Sequence, residues 1–127
     1  MLTMLDTNIC IAVMKGHPGV QNRLRHLPVD QVAISGIVLA ELSFGVCKSL
    51  RRAHNELALA DFCAIIQTLD WPSQAAQIYG EMRAELESQG RLIGANDLLI
   101  AAHAHYLNAV LVTNNVREFK RIPDLRL

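Results

Sequence analysis

Three carboxylates stand where carboxylates are costly. Asp6 ends the apolar run Met1-Leu-Thr-Met-Leu5, Glu41 divides Ile37-Val-Leu-Ala40 from Leu42-Ser-Phe-Gly-Val46, and Asp97 stands ahead of Leu98-Leu-Ile-Ala-Ala102. A charge drawn from water into such surroundings needs a partner. No Lys or Arg lies within a helical turn of Asp6 or Asp97 along the chain. If the fold gathers the three acids into one cleft, their mutual repulsion is relieved by a hard divalent cation such as Mg²⁺ or Mn²⁺. One ion acidifies a water, and one or two stabilise the charge growing on a phosphate and its leaving oxygen, which suits phosphodiester hydrolysis.

Each acid also has a plainer role open to it. Asp6 can cap a helix after the first strand, Glu41 can pair with Arg51 or Arg52, and Asp97 can favour a helix dipole from the first turn. Three such acids together argue for a shared site more strongly than any one alone. Glu56, Asp61, Glu81, Glu85 and Glu87 lie in mixed polar stretches and read as solvated helix faces.

Other chemistries are poorly supplied. His103 and His105 are two apart on a helix and face different ways, while His26 and His54 read as surface residues. A phosphotransfer site built on Asp6 lacks a second Asp two positions on, where Asn8 stands. No Gly-rich turn follows the first strand, so a dinucleotide fold is excluded. Trp71, Tyr79 and Tyr106 are too scattered for a base-stacking platform.

The elements that must position the acids follow from periodicity. Met1 to Leu5 reads as a buried strand feeding a helix through the polar turn Asp6-Thr7-Asn8. Pro18 to Leu27 has helical spacing, Val32 to Ile34 a buried strand, and Gly36 to about Ser49 a helix capped by Ser35, with Leu39, Leu42, Val46 and Leu50 as its stripe. A second helix is expected over Ala53 to Leu69, with Leu57, Ala60, Cys63, Ala64 and Ile66 facing inward, so that the two form a hairpin. Ser73 is expected to cap a helix through Ser88 that Gly90 stops, and Arg91 to Gly94 reads as loop. Asn96 is expected to cap a helix through about Leu107, followed by a strand over Ala109 to Val112, a short helix over Val116 to Lys120 and a closing segment at Leu125 to Leu127. Strands alternating with helices predict a parallel sheet between helical layers, an α/β/α sandwich.

A chain of 127 residues, 51% of them hydrophobic, can bury one core, and a single domain over residues 1–127 is expected. Lys and Arg number 12, as do Asp and Glu, so any grip on nucleic acid must be local rather than a property of the overall field. Lys48, Arg51, Arg52, Arg91, Arg117, Lys120 and Arg121 are the bases available for it. Cys10, Cys47 and Cys63 have no metal-ligand spacing and are expected to be free, reduced and buried. No basic leader or membrane-length apolar run is present, which predicts a cytoplasmic protein.

The segments Met4-Leu-Asp-Thr-Asn8, Ala40-Glu-Leu42, Gly94-Ala-Asn-Asp-Leu-Leu-Ile-Ala-Ala102, Leu111-Val-Thr-Asn-Asn115 and Arg117-Glu-Phe119, in this order and spacing, resemble the PIN domain, and within it the VapC toxins of VapBC toxin–antitoxin pairs. The resemblance runs the length of the chain. It implies an Mg²⁺- or Mn²⁺-dependent endoribonuclease that inhibits translation, with tRNA as the candidate substrate. Asp6 and Asp97 would be the principal metal ligands, and Glu41 a third ligand or the holder of a water. Thr7, Asn8, Thr113 and Asn115 would support the site, with Lys48, Arg51, Arg91 and Arg117 among the RNA contacts. A homodimer is implied, as is a VapB-type antitoxin lying in an apolar groove beside the hairpin of Gly36 to Leu69 and placing an Arg among the acids. The alternative is a non-catalytic PIN module that binds RNA or a protein, against which the retention of all three acids argues.

One departure stands out. Many PIN domains place a fourth acid at or beside the positions of Asn114 and Asn115. Glu118 could supply that carboxylate, or Asn115 and Glu118 could form a capping pair, so the number of ions stays open.

Overall fold

In the computed structural model, which describes residues 1–123 and 125–127, four short strands form one all-parallel sheet in the order β3-β2-β1-β4. The strands are β1 (Thr3–Leu5), β2 (Val32–Ser35), β3 (Gln67–Leu69) and β4 (Val110–Val112). β1 and β2 are buried at every position, as expected of parallel strands covered on both faces. The helices between them are α1 (Thr7–Met14), α2 (Pro18–Leu24), α3 (Gly36–Lys48), α4 (Arg52–Ile65), α5 (Ala76–Ser88), α6 (Ala95–Tyr106) and α7 (Val116–Phe119). α1 packs on α2, α3 and α4, and α5 packs on α6, which completes the expected α/β/α arrangement. Met4, Leu5, Ile34, Val38, Leu98 and Phe119 fill the core. The closing segment runs beside β4, where the Leu111 N–H donates to the Arg126 carbonyl at 2.9 Å.

The topology makes one special place. From β1 the chain steps outward through β2 to β3, then returns to add β4 on the other side of β1. The strand order therefore reverses between β1 and β4, and crevices outside the carboxyl ends of strands form at such a point. Asp6 follows β1 and Thr113 follows β4.

Several expectations are corrected. The segment predicted as helix through Leu69 leaves the helix after Ile65 and becomes β3, whose backbone pairs with the open edge of β2. On α4 the buried residue is Phe62, with Leu59, Cys63 and Ile66 packed against the core, whereas Leu57, Ala60 and Ala64 face solvent. Leu50 lies past the end of α3 and is fully exposed. Ser73 opens a 3₁₀ turn instead of capping α5, and Gly94 occupies the cap position expected of Asn96. α2 stops at Leu24, three residues early. Cys47 is exposed and Cys63 half-buried, so only Cys10 is a core thiol. Ser35 does cap α3, and Gly90, at φ +65°, does end the turn after α5 in the left-handed region. Among the described residues no helix is long and apolar enough to cross a membrane.

Candidate active site

Asp6 is 5% exposed and serves two purposes at once. Its backbone is extended, and its Oδ1 accepts from the Ile9 N–H at 3.0 Å, capping α1. Its Oδ2 accepts from the Thr113 hydroxyl, and its own N–H donates to the Val112 carbonyl at 3.1 Å. The Asn115 N–H in turn donates to Thr113 Oγ1 at 2.8 Å, so the loop after β4 is tied to the carboxylate after β1.

Glu41 reaches the same cleft from the second turn of α3. Its Oε1 accepts from Thr7 Oγ1 at 2.6 Å, and its Oε2 is met by the Asn96 amide at 3.5 Å. Asp97 enters from the first turn of α6. The cleft is lined by Asp6, Thr7, Asn8, Glu41, Asp97 and Asn115. Asp6, Glu41 and Asp97, 35 to 91 positions apart along the chain, thus meet at one place, as a shared cation site requires.

The electrostatics are those of a crowded acidic cleft. Burial pushes the Asp97 carboxyl up to about 6, and the negative charges of Glu41, Glu118 and Asp6 push the same way. Burial also raises Asp6, against the lowering effect of its hydrogen bonds from Thr113 and Ile9, with Glu41 adding to the rise. No Lys or Arg is within ion-pair distance of these acids among the described residues, where the sole such pair is Arg52 with Glu56. The ion-pair role open to Glu41 is therefore not taken up.

A divalent cation suits this donor set, though not as a closed cage. Among the described residues no three His, Cys, Asp or Glu side chains converge tightly enough to hold an ion unaided. Mg²⁺ commonly uses one or two carboxylates and keeps several waters, and an open, mutually repelling acid cluster meets that need.

The other candidates fall into two groups. Glu118, in the first turn of α7, is close enough to act on Asp97 but does not line the cleft, and Asn115 makes no side-chain cap with it. Arg51 lines a groove that also reaches Glu41. Lys48 lies over the Phe44 ring at 5.0 Å, while Arg91 and Arg117 are exposed outside the cleft lining. Asn96 was missed as a site residue because its type and place also suit a helix cap.

With this geometry in hand, residues 3–125 match the PIN domain family. The chain is 49% identical to ribonuclease VapC2 of Rickettsia felis, across 100% of this chain and 96% of that protein. It is 41% identical to the tRNA(fMet)-specific endonuclease VapC of Salmonella typhimurium, across 98% of this chain and 94% of that one. Its fold superimposes at a TM-score of 0.93 on a chain of the crystal structure of VapBC2 from Rickettsia felis bound to a promoter DNA fragment, at 48% identity, covering 100% of this chain and 97% of that chain.

Proposed function

Because the chain belongs to the PIN-domain family, we propose that it is the toxin of a VapBC-type pair, an endoribonuclease that cuts tRNA with Mg²⁺ or Mn²⁺ and so inhibits translation. The observation that carries this reading is the meeting of Asp6, Glu41 and Asp97 in one cleft at the sheet's switch point, with no Lys or Arg within ion-pair distance of them among the described residues. Asp6 and Asp97 would hold the cation. When bound, the ion supplies positive charge against the charge developing on the phosphate and makes water easier to deprotonate.

The remaining steps belong to the protein. Thr113 and the Ile9 N–H fix both oxygens of Asp6, so its orientation does not depend on the ligand. Glu41, braced by Thr7 and Asn96, would serve as a third ligand or hold a water beside the other two acids. Asn8 lines the entrance, and Glu118 adds a fourth negative charge from α7 where Asn114 and Asn115 have none. Lys48, Arg51, Arg91 and Arg117 meet the flanking phosphates, which position the strand without reading its sequence.

The antitoxin occupies the groove of about 510 Å³ between α1 and the α3–α4 hairpin. Its floor includes Ile11, Met14, Leu42 and Val46, its rim includes Lys15 and Arg51, and it opens on Glu41. An amphipathic helix suits such a groove, and a basic side chain at its end would neutralise the acids. The toxin acts in the cytoplasm as a homodimer. The test is incubation of the purified protein with bulk tRNA. Cleavage is expected with Mg²⁺ or Mn²⁺, none in EDTA, and none with Asp6→Ala or Asp97→Ala. Intact tRNA at every metal concentration would overturn the reading.

A further inference from the structure

A second hollow opens at the same reversal of strand order, on the other side of Thr113 from the acidic cleft. It encloses about 290 Å³. Its floor is aliphatic, from Ile9, Val20, Leu24 and Val112, and its rim carries Arg23, His17 and Asn114. Thr113 lines the hollow and donates to Asp6, which lines the cleft, so one hydrogen bond links the two spaces.

The composition of the hollow differs from that of the cleft. The cleft gathers negative charge, whereas Arg23 is an exposed guanidinium and no acid lines the hollow. His17 is held in place, since its Nδ1 accepts from the Val20 N–H at 3.3 Å and leaves Nε2 as the free nitrogen. A Cβ on Gly19 would come within 3.2 Å of His17 Cε1, so the glycine allows the ring to lie against the start of α2. An apolar floor with a few polar groups on its rim is the form of a small-ligand site, and here the site adjoins a cleft that takes a phosphodiester.

We propose that this hollow is a nucleotide subsite for the RNA strand, taking the unit next to the scissile phosphate. The base and ribose lie on the aliphatic floor, the Asn114 amide meets the base edge, and Arg23 meets the phosphate. The strand therefore crosses Thr113, with one phosphate over the acids and the neighbouring one at Arg23. Arg51 and the groove on the far side of Glu41 play no part in this contact. The inference rests on the ribonuclease reading for its ligand class, but its geometry is independent of cleavage.

The experiment is done in EDTA, so that binding is measured without cutting. Binding of fluorescein-labelled bulk tRNA to the full chain is followed by anisotropy over a salt series, for wild type, Arg23→Ala and Asn114→Asp. Arg23→Ala is expected to weaken binding about tenfold, the size of one lost hydrogen bond to a charged group, and to lower the slope of log Kd against log salt by about one. Asn114→Asp should weaken binding by a similar factor. In parallel, uridine 5′-monophosphate titrated against ¹⁵N-labelled wild type should shift the amides of Gly19, Val20, Leu24 and Asn114. Unchanged affinity and salt slope in both variants, or mononucleotide shifts confined to other surfaces, would overturn the subsite. If Mg²⁺ yields no cleavage by wild type while these binding results appear, the ribonuclease reading fails and the nucleotide subsite stands. If wild type cleaves and the variants bind normally, the reverse holds.

Discussion

Burial and like charge act in the same direction at Asp97, and the sign of the consequence can be worked out. In the unfolded chain this carboxyl releases its proton near 3.8, whereas in the folded chain it does so near 6. Between those values the native state holds a proton that the unfolded state has lost, so stability falls as pH rises through this window and the loss is complete above it. The metal-free protein should therefore lose melting temperature from pH 4 to pH 6.5 more steeply than Asp97→Asn does, and at pH 7 Mg²⁺ should raise the melting temperature of wild type but not of the variant. Calorimetry in EDTA, then with MgCl₂, measures both, and parallel pH curves for the two proteins would refute the assignment. Thr113 supports a second prediction. Its hydroxyl donates to Asp6 and accepts from the Asn115 N–H, so Thr113→Val orphans two groups while keeping the shape. A loss of about 1–3 kcal/mol in urea unfolding is expected, together with a fall in tRNA cleavage, and Thr113→Ser should recover both. The meeting of Asp6, Glu41 and Asp97 was legible in the sequence because a charge set inside an apolar run is costly to keep without a partner. Asn96 was not, because an amide at the start of a helix is ordinary.

At the scale of elements, the packed face of α4 separates what periodicity can and cannot supply. Leu57, Ala60 and Ala64 make an apolar row as convincing in sequence as Leu59, Phe62 and Cys63, and only the docking of α4 on α3 and α1 decides which is covered. β3 was hidden for a related reason. It is three residues long, follows α4 without Gly or Pro to mark the change, and takes its conformation from the free edge of β2. β1, β2 and β4 were legible because each is an apolar run cut off by polar turn residues. The face assignment can be tested directly. Phe62→Ala should cost about 3–5 kcal/mol of unfolding free energy and Leu57→Ala less than about 0.5, a contrast that urea melts would reverse if Leu57 were on the packed face. A second element-level link joins the two helices that carry Glu41 and Asp97. Ser35 accepts from the Ile37 N–H at 3.1 Å at the start of α3, and its hydroxyl meets Nδ1 of buried His103 on α6 at 2.8 Å. Burial lowers the His103 pKa, which keeps the ring neutral in this contact. Ser35→Ala removes a cap and a buried hydrogen-bond partner together, and a loss of about 1–3 kcal/mol is expected in the same assay.

For the whole molecule, balanced charge leaves recognition to shape and to local groups, and the groove beside the α3–α4 hairpin is where shape is most open to test. Gly45 lies within α3 and lines this groove, and a Cβ placed there meets nothing within 4 Å among the described residues. Its φ is not in the left-handed region, so the fold itself has no need of glycine at this position. Glycine in a helix interior costs about 0.5–1 kcal/mol relative to alanine, and Gly45→Ala should therefore stabilise the isolated protein by that amount in urea unfolding. The absence of a side chain keeps the groove deep instead, which matters only if something lies in it. Gly45→Trp should accordingly leave the isolated chain folded, by circular dichroism and thermal melting, while weakening its complex with the cognate antitoxin at least about tenfold in calorimetric titration. An antitoxin that binds Gly45→Trp as tightly as wild type would place its contact elsewhere, and a Gly45→Ala variant less stable than wild type would mean that the glycine serves the fold after all.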